Sequence, residues 1–142
     1  MRAYISVSFS GRQQLEKEVA TIKAALSANG VKSLVFVDLY RFTPEEEVAM
    51  MRAALEEIDQ CDMLVAETSE KGIGIGIEAG YAKAKGKPVI YVRSAHAEHS
   101  TTVSGLSDYR IIYEDAADLA VQISEVVQCL KDRIASSGTL AK

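Results

Sequence analysis

Short apolar segments rich in β-branched residues alternate along the chain with segments whose apolar residues recur at helical spacing. The segments that predict strands span residues 4–9, 34–37, 63–66, 88–92 and 110–113. Because these strands are apolar at consecutive positions, they are typical of a parallel sheet that helices cover on both faces. The sequence therefore predicts an α/β fold: a flavodoxin-like (Rossmann-like), doubly wound, five-stranded parallel sheet with the strand order 2-1-3-4-5.

Capping and turn residues mark where the predicted helices begin and end. Thr43, Pro44 and Glu46 provide the N-cap, the first-turn proline and the third-position acid of a capping box. Gly30 and Gly86 follow two helical patterns, where a helix C-terminus favours a residue that can adopt a left-handed conformation. The apolar residues predicted to face the core are Leu15, Val19, Ile22 and Leu26 in the first helix, Val48, Met51, Leu55 and Ile58 in the second, and Leu119, Ile123, Val126 or Val127, Leu130 and Ile134 in the last.

The length of the chain, 142 residues, suits a single domain that buries about two-thirds of its unfolded surface. We therefore predict one domain over residues 1–134, followed by a frayed tail over residues 135–142. The formal net charge of −4 argues against a nucleic-acid polymer as partner, because binding to a phosphate backbone needs a surplus of Lys and Arg. A small anion could still bind locally.

The cysteines and the apolar segments bear on where the protein works. Cys61 and Cys129 have no metal-ligand spacing and occupy positions that suit buried apolar residues, which favours free thiols in a reducing cytoplasm. The N-terminal sequence has no separate apolar region with a cleavage site, and no apolar run approaches the ~18 residues that span a bilayer. We expect a cytoplasmic protein with no membrane segment and no metal site.

Two loops of unusual composition follow the first and third predicted strands. In the order 2-1-3-4-5 the chain reverses direction between strands one and three, so the loops after these strands meet at the edge where ligands bind. The first loop spans residues 8–12 (SFSGR), and the second spans residues 67–78 (ETSEKGIGIGIE). Topology and composition together predict the ligand site at this edge of the sheet.

The first loop combines groups that suit a phosphate. Ser8 and Ser10 supply hydroxyls, Gly11 supplies a flexible backbone amide, and Arg12 supplies a guanidinium at the N-terminus of a predicted helix. The alternative is a tight strand-to-helix turn whose arginine is solvated. Phosphate binding by this loop is a hypothesis that the residues permit and do not require.

Glycines alternate with isoleucines in the second loop, before a short helix predicted over residues 76–85. Gly72, Gly74 and Gly76 permit close approach of a ligand to the backbone, and the isoleucines can anchor the loop. The run is not the dinucleotide fingerprint G-x-G-x-x-G, whose third glycine would fall at Ile77, and it lacks the Lys-Ser/Thr of a P-loop. A loop without a ligand is the alternative.

Glu78 follows these glycines at or near the first turn of the predicted helix. The helix dipole and the free backbone amides there favour an ionised carboxylate. The surrounding residues are apolar or small, and they offer no evident structural partner for the acid. Chemistry on a bound ligand and simple capping of the helix are both open interpretations.

The stretch from Asp62 to Val92, DMLVAETSEKGIGIGIEAGYAKAKGKPVIYV, carries a recognisable pattern. An aspartate, an apolar run, A-E-x-T, a glycine loop, a glutamate, a glycine and K-P follow one another without a gap. The pattern resembles the nucleoside 2-deoxyribosyltransferase superfamily, most closely its branch of 2'-deoxynucleoside 5'-phosphate N-hydrolases, over roughly residues 4–113. The resemblance implies a flavodoxin-like fold and cleavage of the base–sugar bond of nucleotides without a cofactor.

The resemblance also implies roles in catalysis and in phosphate binding. Glu78 matches the nucleophile that attacks the anomeric carbon and carries the sugar as a covalent intermediate, and Tyr4 matches a tyrosine near the sugar. Ser100 matches a serine that reaches the phosphate from the neighbouring subunit, which implies a homodimer with shared active sites. In the loop of residues 8–12, the family's phosphate-binding positions fall at Ser8 and Gly11, with Arg12 or Ser10 where an arginine is expected.

The chain departs from the family pattern at three positions. Gly72 replaces a phosphate-binding serine, Asp38 replaces a histidine, and Ala54 replaces the catalytic aspartate that protonates the departing base or positions the proton donor. Loss of a general acid costs about 10²- to 10⁴-fold in rate. Glu67 and Asp38, which end predicted strands at the ligand edge, are favoured over Glu47 as a substitute acid.

Three classes of function follow from these observations. The first is an N-glycosidase that acts on (deoxy)nucleoside 5'-monophosphates, with a deoxyribosyltransferase as a close variant. The second is a catalytically weak or inactive nucleotide-binding module, which Ala54 favours. The third starts from a fainter likeness of ISVSFSGR to TIR-type domains, whose glutamate cleaves the nicotinamide bond of NAD.

Overall fold

The computed structural model describes residues 1–140, and its five strands form a parallel sheet in the order β2-β1-β3-β4-β5. The strands are β1 (Arg2–Val7), β2 (Lys32–Val35), β3 (Met63–Glu67), β4 (Val89–Ser94) and β5 (Tyr109–Tyr113). The helices are α1 (Glu16–Ala28), α2 (Phe36–Leu39), α3 (Glu47–Asp59), α4 (Ile73–Ala84), α5 (Thr101–Leu106) and α6 (Ala116–Leu140). The predicted fold class and strand order are confirmed.

The sheet separates two apolar layers. On one face, Ala3 and Ile5 of β1 join a core with α1 and α6, which pack against each other. On the other face, Tyr4 packs in a core that includes Ile58 of α3 and Ala79 of α4. Consecutive residues of a strand point to opposite faces. Ser6, two positions after Tyr4 on β1, therefore also faces the layer of α3 and α4.

The predicted capping and turn residues act as the sequence indicates. The backbone N–H of Thr43 donates to the Glu46 carboxylate at 2.9 Å, and the capping box in the 3-10 turn Pro44–Glu46 before α3 is complete. Gly30 and Gly86 follow α1 and α4 with φ angles of 76° and 75°, in the left-handed region that favours glycine. These local signals are confirmed.

The second strand is shorter than predicted. It stops at Val35, and Phe36–Leu39 forms the single helical turn α2, although the sequence predicts a strand over residues 34–37. The turn stacks the rings of Phe36 and Tyr40 with their centroids 4.7 Å apart. An extended strand would separate residues four positions apart by about 13 Å. Aromatic packing therefore accounts for the early end of the strand.

Helical spacing also predicts burial wrongly for one terminal residue in each of two helices. Val48 at the start of α3 is 69% exposed, and Ile134 near the end of α6 is 56% exposed, although both were predicted to be buried. Helix α6 continues to Leu140, so the predicted frayed tail is helical over residues 135–140, and residues 141–142 lie outside the described residues. Each of the two serines of the tail, Ser136 and Ser137, destabilises a helix by only about 0.5 kcal/mol relative to alanine. This cost is too small to end a helix that is held in place by packing.

Two further expectations concern the burial of the cysteines and the absence of a membrane segment. Cys61 is buried as predicted, whereas Cys129 is exposed, and both are free thiols. Among residues 1–140, no helix combines the length and the apolar character needed to cross a membrane.

Candidate active site

Glu78 lies in the second turn of α4, which begins at Ile73. Gly74, which the sequence places in a loop before a helix over residues 76–85, is part of the first turn of α4, as is Gly76. Each glycine weakens a helix by about 1 kcal/mol relative to alanine, and burial of Ile75 against the sheet offsets this cost. The prediction of a glycine loop that leads directly into Glu78 is therefore wrong, because packing extends the helix through the glycines.

Two side chains of β1 hold the carboxylate of Glu78. The hydroxyl of Tyr4 donates a hydrogen bond to Oε2, and the hydroxyl of Ser6 donates to Oε1 at 2.7 Å. Tyr4 and Ser6 lie two positions apart on one strand, so both side chains reach the same face of the sheet. Both oxygens of the carboxylate are thus fixed by a rigid element.

Burial sets the electrostatics of this contact. It raises the pKa of Glu78, and the hydrogen bonds from Tyr4 and Ser6 act in the opposite direction. Burial and the neighbouring Glu78 carboxylate raise the pKa of Tyr4 far above the usual range of a phenol. Tyr4 therefore stays protonated as a donor, and Glu78 is a poorly solvated carboxylate, which suits attack on an electron-poor carbon.

Glu78 opens into a cleft of about 760 Å³ between the loop after β1, α3 and α4. One wall is aromatic: Tyr40 stacks on Phe36 and on Phe42, with ring centroids 4.7 Å and 5.7 Å apart. From α3, Met50 lies along the same wall. A mostly apolar cleft with a few polar groups is the usual form of a small-molecule site, and the wall suits a flat heterocycle.

The loop after β1 brings two of its predicted residues to the cleft. Ser8 and Ser10 line it, and their hydroxyl oxygens are 3.0 Å apart. The N–H of Gly11 donates to the hydroxyl of Ser8 at 3.3 Å, and a Cβ on Gly11 would lie 2.4 Å from the Cβ of Glu70. Glycine is therefore required at position 11 by the packing of this loop against the segment that follows β3.

Arg12 and Asp38 form an ion pair outside the cleft. Nε and Nη2 of Arg12 donate to the Asp38 carboxylate at 2.9 Å and 2.8 Å, and Nη1 contacts Glu16 at 3.3 Å. Neither Arg12 nor Asp38 is among the residues that line the cleft. Asp38 lies on the helical turn α2 instead of a strand end, and its pairing with Arg12 removes it from the side of Glu78.

Glu67 lies on the opposite face of the sheet from Glu78. The preceding residue, Ala66, packs in the layer of α3 and α4, so Glu67 points to the layer of α1 and α6. Its carboxylate accepts from the N–H of Ser69 at 2.6 Å and from the hydroxyl of Tyr113 at 2.8 Å, and burial raises its pKa. The prediction of Glu67 as the acid beside Glu78 is wrong, because its strand turns it away.

Helix α3 presents Ala54 to the cleft and, two turns earlier, Glu47 at the rim. Ala54 is buried, whereas Glu47 is exposed. Among the described residues that line the cleft, Glu78 and Glu47 are the only carboxylates. The position that the resemblance gives to the catalytic acid thus holds a methyl group.

The other predicted phosphate-site residues divide between two cavities. Gly74 lines the Glu78 cleft, whereas Gly76 and Ser100 line a second cavity of about 550 Å³ between α4 and α5. Ser100 is the N-cap of α5, and its hydroxyl accepts from the N–H of Val103 at 3.4 Å. Ser100 therefore does not reach the cleft of its own chain.

Two features of the site are absent from the sequence-based prediction. Ser6 is the first, and the two-residue period from Tyr4 is the signal that places it on the same face. The second is the aromatic wall formed by Phe36, Tyr40 and Phe42. No spacing rule indicates it, because the wall depends on the unexpected turn α2.

The fold and the site define the class: an α/β protein that holds one carboxylate at the switch point of a parallel sheet, against a cleft suited to a flat ligand. The chain belongs to the nucleoside 2-deoxyribosyltransferase family, whose sequence profile matches residues 3–136. The resemblance stated from the motif is thereby confirmed.

Individual relatives agree with this assignment. A protein of Syntrophotalea carbinolica, assigned by name as 2'-deoxynucleoside 5'-phosphate N-hydrolase 1, is 27% identical over 147 residues, 96% of each chain. The structure of the Clostridium botulinum CMP N-glycosidase matches with a TM-score of 0.63 and 19% identity, over 87% of this chain and 98% of that one. A 2-deoxyribosyltransferase from Bacillus psychrosaccharolyticus matches with a TM-score of 0.66 and 18% identity, over 84% and 90%. The structural matches show a shared fold, and family membership supports chemistry at N-glycosyl bonds.

Proposed function

We propose that this protein hydrolyses the N-glycosidic bond of (deoxy)nucleoside 5'-monophosphates, with Glu78 as the nucleophile. The observation that carries the proposal is the carboxylate of Glu78, which Tyr4 and Ser6 fix at the cleft through one hydrogen bond to each oxygen. A carboxylate held in one orientation is suited to form a covalent glycosyl intermediate. Family membership and the name of the S. carbinolica relative support the same class of reaction.

The reaction would proceed in two steps at Glu78. In the first, a carboxylate oxygen attacks the anomeric carbon while the bond to the base breaks, which leaves the sugar esterified to the enzyme. In the second, water attacks the same carbon and releases the sugar 5'-phosphate and the free carboxylate. Tyr4 and Ser6 orient the nucleophile in both steps, because each donates to it from β1.

The cleft suggests how such a substrate would lie. The base would stack on the wall of Phe36, Tyr40 and Phe42, and the phosphate would face the hydroxyls of Ser8 and Ser10. The N-terminus of α4 is close by, because Ile73 and Gly74 line the cleft, and a helix N-terminus favours an anion.

The dimer that the resemblance implies forms part of the proposal. Ser100 would enter the cleft of a second copy of the chain, since it does not line the cleft of its own. Phe9 and Ile73, at the cleft, are 77% and 87% exposed, and exposed apolar residues next to a site suit an interface. Neither Glu78→Gln nor Ser100→Ala should be active alone, and mixed dimers should regain activity, because one site then has both native residues. Sedimentation of the wild type as a monomer would contradict this arrangement.

The buried Ala54 favours a second candidate function, a nucleotide-binding module that turns over weakly or not at all. Transfer of the sugar to a second base is a variant of the first proposal, because a base could replace water in the second step. Cleavage of NAD by a TIR-like mechanism is the remaining alternative from another class.

One panel of substrates separates these functions. The protein is incubated with ribo- and deoxynucleoside monophosphates, nucleosides, NAD and nicotinamide mononucleotide, and released base is measured by chromatography, with Glu78→Gln as the control. We expect release from monophosphates and its loss in the variant. Binding of a monophosphate without release from any substrate would support the binding module, and release from NAD alone would support the TIR-like reading. Repeating the assay with a second free base detects transfer.

A further inference from the structure

Cleavage of an N-glycosidic bond leaves the bonding electron pair on the base. A neutral base departs as an anion unless a proton reaches it, and a general acid that supplies the proton contributes about 10²- to 10⁴-fold in rate. The position that the resemblance gives to that acid is Ala54, whose buried methyl group lines the Glu78 cleft. The chemistry of leaving-group departure therefore depends on whether another donor faces the base.

The carboxylic acids near the site do not replace this donor. Glu67 faces the other side of the sheet, and Asp38 is held by Arg12 outside the cleft. Glu47 lines the rim, but it lies seven residues before Ala54 on α3, a rise of about 10 Å along the helix. Helical side chains also lean toward the N-terminus, so that of Glu47 points away from the position of Ala54.

The hydroxyl groups closest to Glu78 are already engaged. Tyr4 and Ser6 both donate their protons to the Glu78 carboxylate from the strand beneath it. Burial and the Glu78 charge raise the pKa of Tyr4, which makes the phenol a weaker acid than usual. Tyr40, on the aromatic wall, donates its hydroxyl to Glu57 at 3.0 Å. No carboxylic acid among the described residues that line the cleft is therefore placed to protonate a base that leaves from a sugar at Glu78.

The opposite wall of the cleft favours a cation. Phe36, Tyr40 and Phe42 line the cleft with stacked aromatic rings, and aromatic rings attract organic cations through the negative potential of their faces. Two carboxylates, Glu78 and Glu47, line the cleft, against one guanidinium, Arg41, whose Nη1 donates to the carbonyl of Val37. A positively charged base would lie against the rings and near the Glu78 carboxylate.

We propose that the base this enzyme releases is already a cation: the substrate is an N-glycoside of a quaternised heterocycle, such as an N-alkylated purine or a pyridinium, on a 5'-phosphorylated sugar. This inference rests on the function proposed above. A Glu78 oxygen bonds to the anomeric carbon as the carbon–nitrogen bond breaks, and the electron pair of that bond neutralises the ring, so the base leaves without a proton. Water then adds to the anomeric carbon, the ester to Glu78 breaks, its electron pair returns to the carboxylate, and one water proton passes to solvent.

The test compares 2'-deoxyguanosine 5'-monophosphate with its N7-methyl derivative, two substrates that differ by one methyl group and one positive charge. For the wild type, kcat/KM for the methylated substrate should exceed that for the neutral one by more than about 10²-fold. Nicotinamide mononucleotide is the second cationic substrate, and its comparison with N7-methylguanosine 5'-monophosphate, which carries the same ribose 5'-phosphate, identifies the kind of base. Equal turnover of the neutral and methylated substrates would overturn the inference and leave the proposed function standing.

Ala54→Asp restores a carboxylic acid at the catalytic position, and Ala54→Asn is the matched control of equal size without the acid. The measured quantity is kcat/KM for the neutral substrate divided by kcat/KM for the methylated substrate. This ratio should rise about 10²- to 10⁴-fold in Ala54→Asp and less than about tenfold in Ala54→Asn. The ratio does not depend on the fraction of folded enzyme. An unchanged ratio in Ala54→Asp would show that a donor already exists elsewhere and overturn the inference. If the variant does not fold, the wild-type comparison decides. A wild type inert toward all four substrates and the full panel would overturn the proposed function together with the inference.

Discussion

The hydroxyl of Tyr4, on the interior strand β1, donates a hydrogen bond to the carboxylate of Glu78, 74 positions later in the chain on α4. Both residues are largely removed from solvent, and the contact joins the sheet to the helix that carries the candidate nucleophile. The position of the carboxylate is therefore set by the fold and does not depend on a flexible loop.

Replacing Tyr4 by Phe removes this donor and keeps the ring. A hydrogen bond to a charged group contributes about 1.5–3 kcal/mol, so kcat/KM for base release should fall about 13- to 160-fold. Tyr81→Phe is the matched control, because its hydroxyl donates to Asp59 at 2.8 Å outside the cleft. Activity of Tyr4→Phe within twofold of the wild type would mean that Tyr4 does not position the nucleophile.

The pH dependence of activity should report the environment of Glu78. The nucleophile must be ionised, and burial raises its pKa, so activity should fall on acidification at a higher pH than for an ordinary glutamate. The hydrogen bond from Ser6 lowers that pKa, so Ser6→Ala should move the acid limb of the pH–rate profile to higher pH. Ser27→Ala, on the exposed side of α1, is the control. A limb that stays in place or moves to lower pH in Ser6→Ala would contradict this account of Glu78.

Alanine substitutions at two glycines of α4 should distinguish an effect on stability from an effect on substrate binding. A Cβ on Gly74 or on Gly80 would meet no atom within 4 Å, so each change to alanine should stabilise the fold by up to about 1 kcal/mol. Gly74 lines the Glu78 cleft and Gly80 does not. Urea unfolding should therefore show a gain in both variants, whereas KM should rise only in Gly74→Ala. An unchanged KM in Gly74→Ala would argue against close approach of the substrate to the start of α4.

The contribution of Glu67 to the free energy of unfolding should decrease as pH rises. Burial raises its pKa in the folded state, so the folded protein binds more protons than the unfolded chain between about pH 4.3, the unfolded value, and the raised pKa. The free energy of unfolding contributed by Glu67 therefore decreases as pH increases through this window. Glu67→Gln should remove that decrease, as measured by urea unfolding across the window, and Glu56→Gln, an exposed acid on α3, should not. A steeper decrease in Glu67→Gln would contradict the assignment of burial as the cause.

Hydrophobic pattern and turn chemistry were sufficient to predict the sheet and its order. Consecutive apolar residues in the five strands indicate burial on both faces, and Gly30, Gly86 and Thr43 mark helix ends through local geometry alone. The errors begin where distant packing decides the outcome. Phe36 leaves the strand pattern because it stacks on Tyr40, and the glycines before Glu78 become helical because Ile75 is buried beneath them.

The contact between Glu78 and Tyr4 was predictable from the sequence, whereas the surroundings of Glu78 in the candidate site were not. Glu78 and its neighbour Tyr4 follow from the motif and from the start of β1. Glu67 was misjudged because a strand end fixes the edge of the sheet at which a residue lies and leaves its face undecided until the core on each side is known. Asp38 was misjudged because its ion pair with Arg12 links the helical turn α2 to the loop after β1, 26 positions earlier, which no local pattern indicates.

The most direct test of Glu78 as the nucleophile is to trap the glycosyl intermediate. In a 2'-fluoro derivative of N7-methylguanosine 5'-monophosphate the fluorine slows both steps, because it destabilises positive charge at the anomeric carbon, and the cationic base still allows the first step because it leaves readily. Rapid quenching, proteolysis and mass spectrometry should find the sugar phosphate attached to the peptide that contains Glu78, and Glu78→Gln should yield no adduct. An adduct on another residue, or full turnover of the unmodified substrate by Glu78→Gln, would contradict the account.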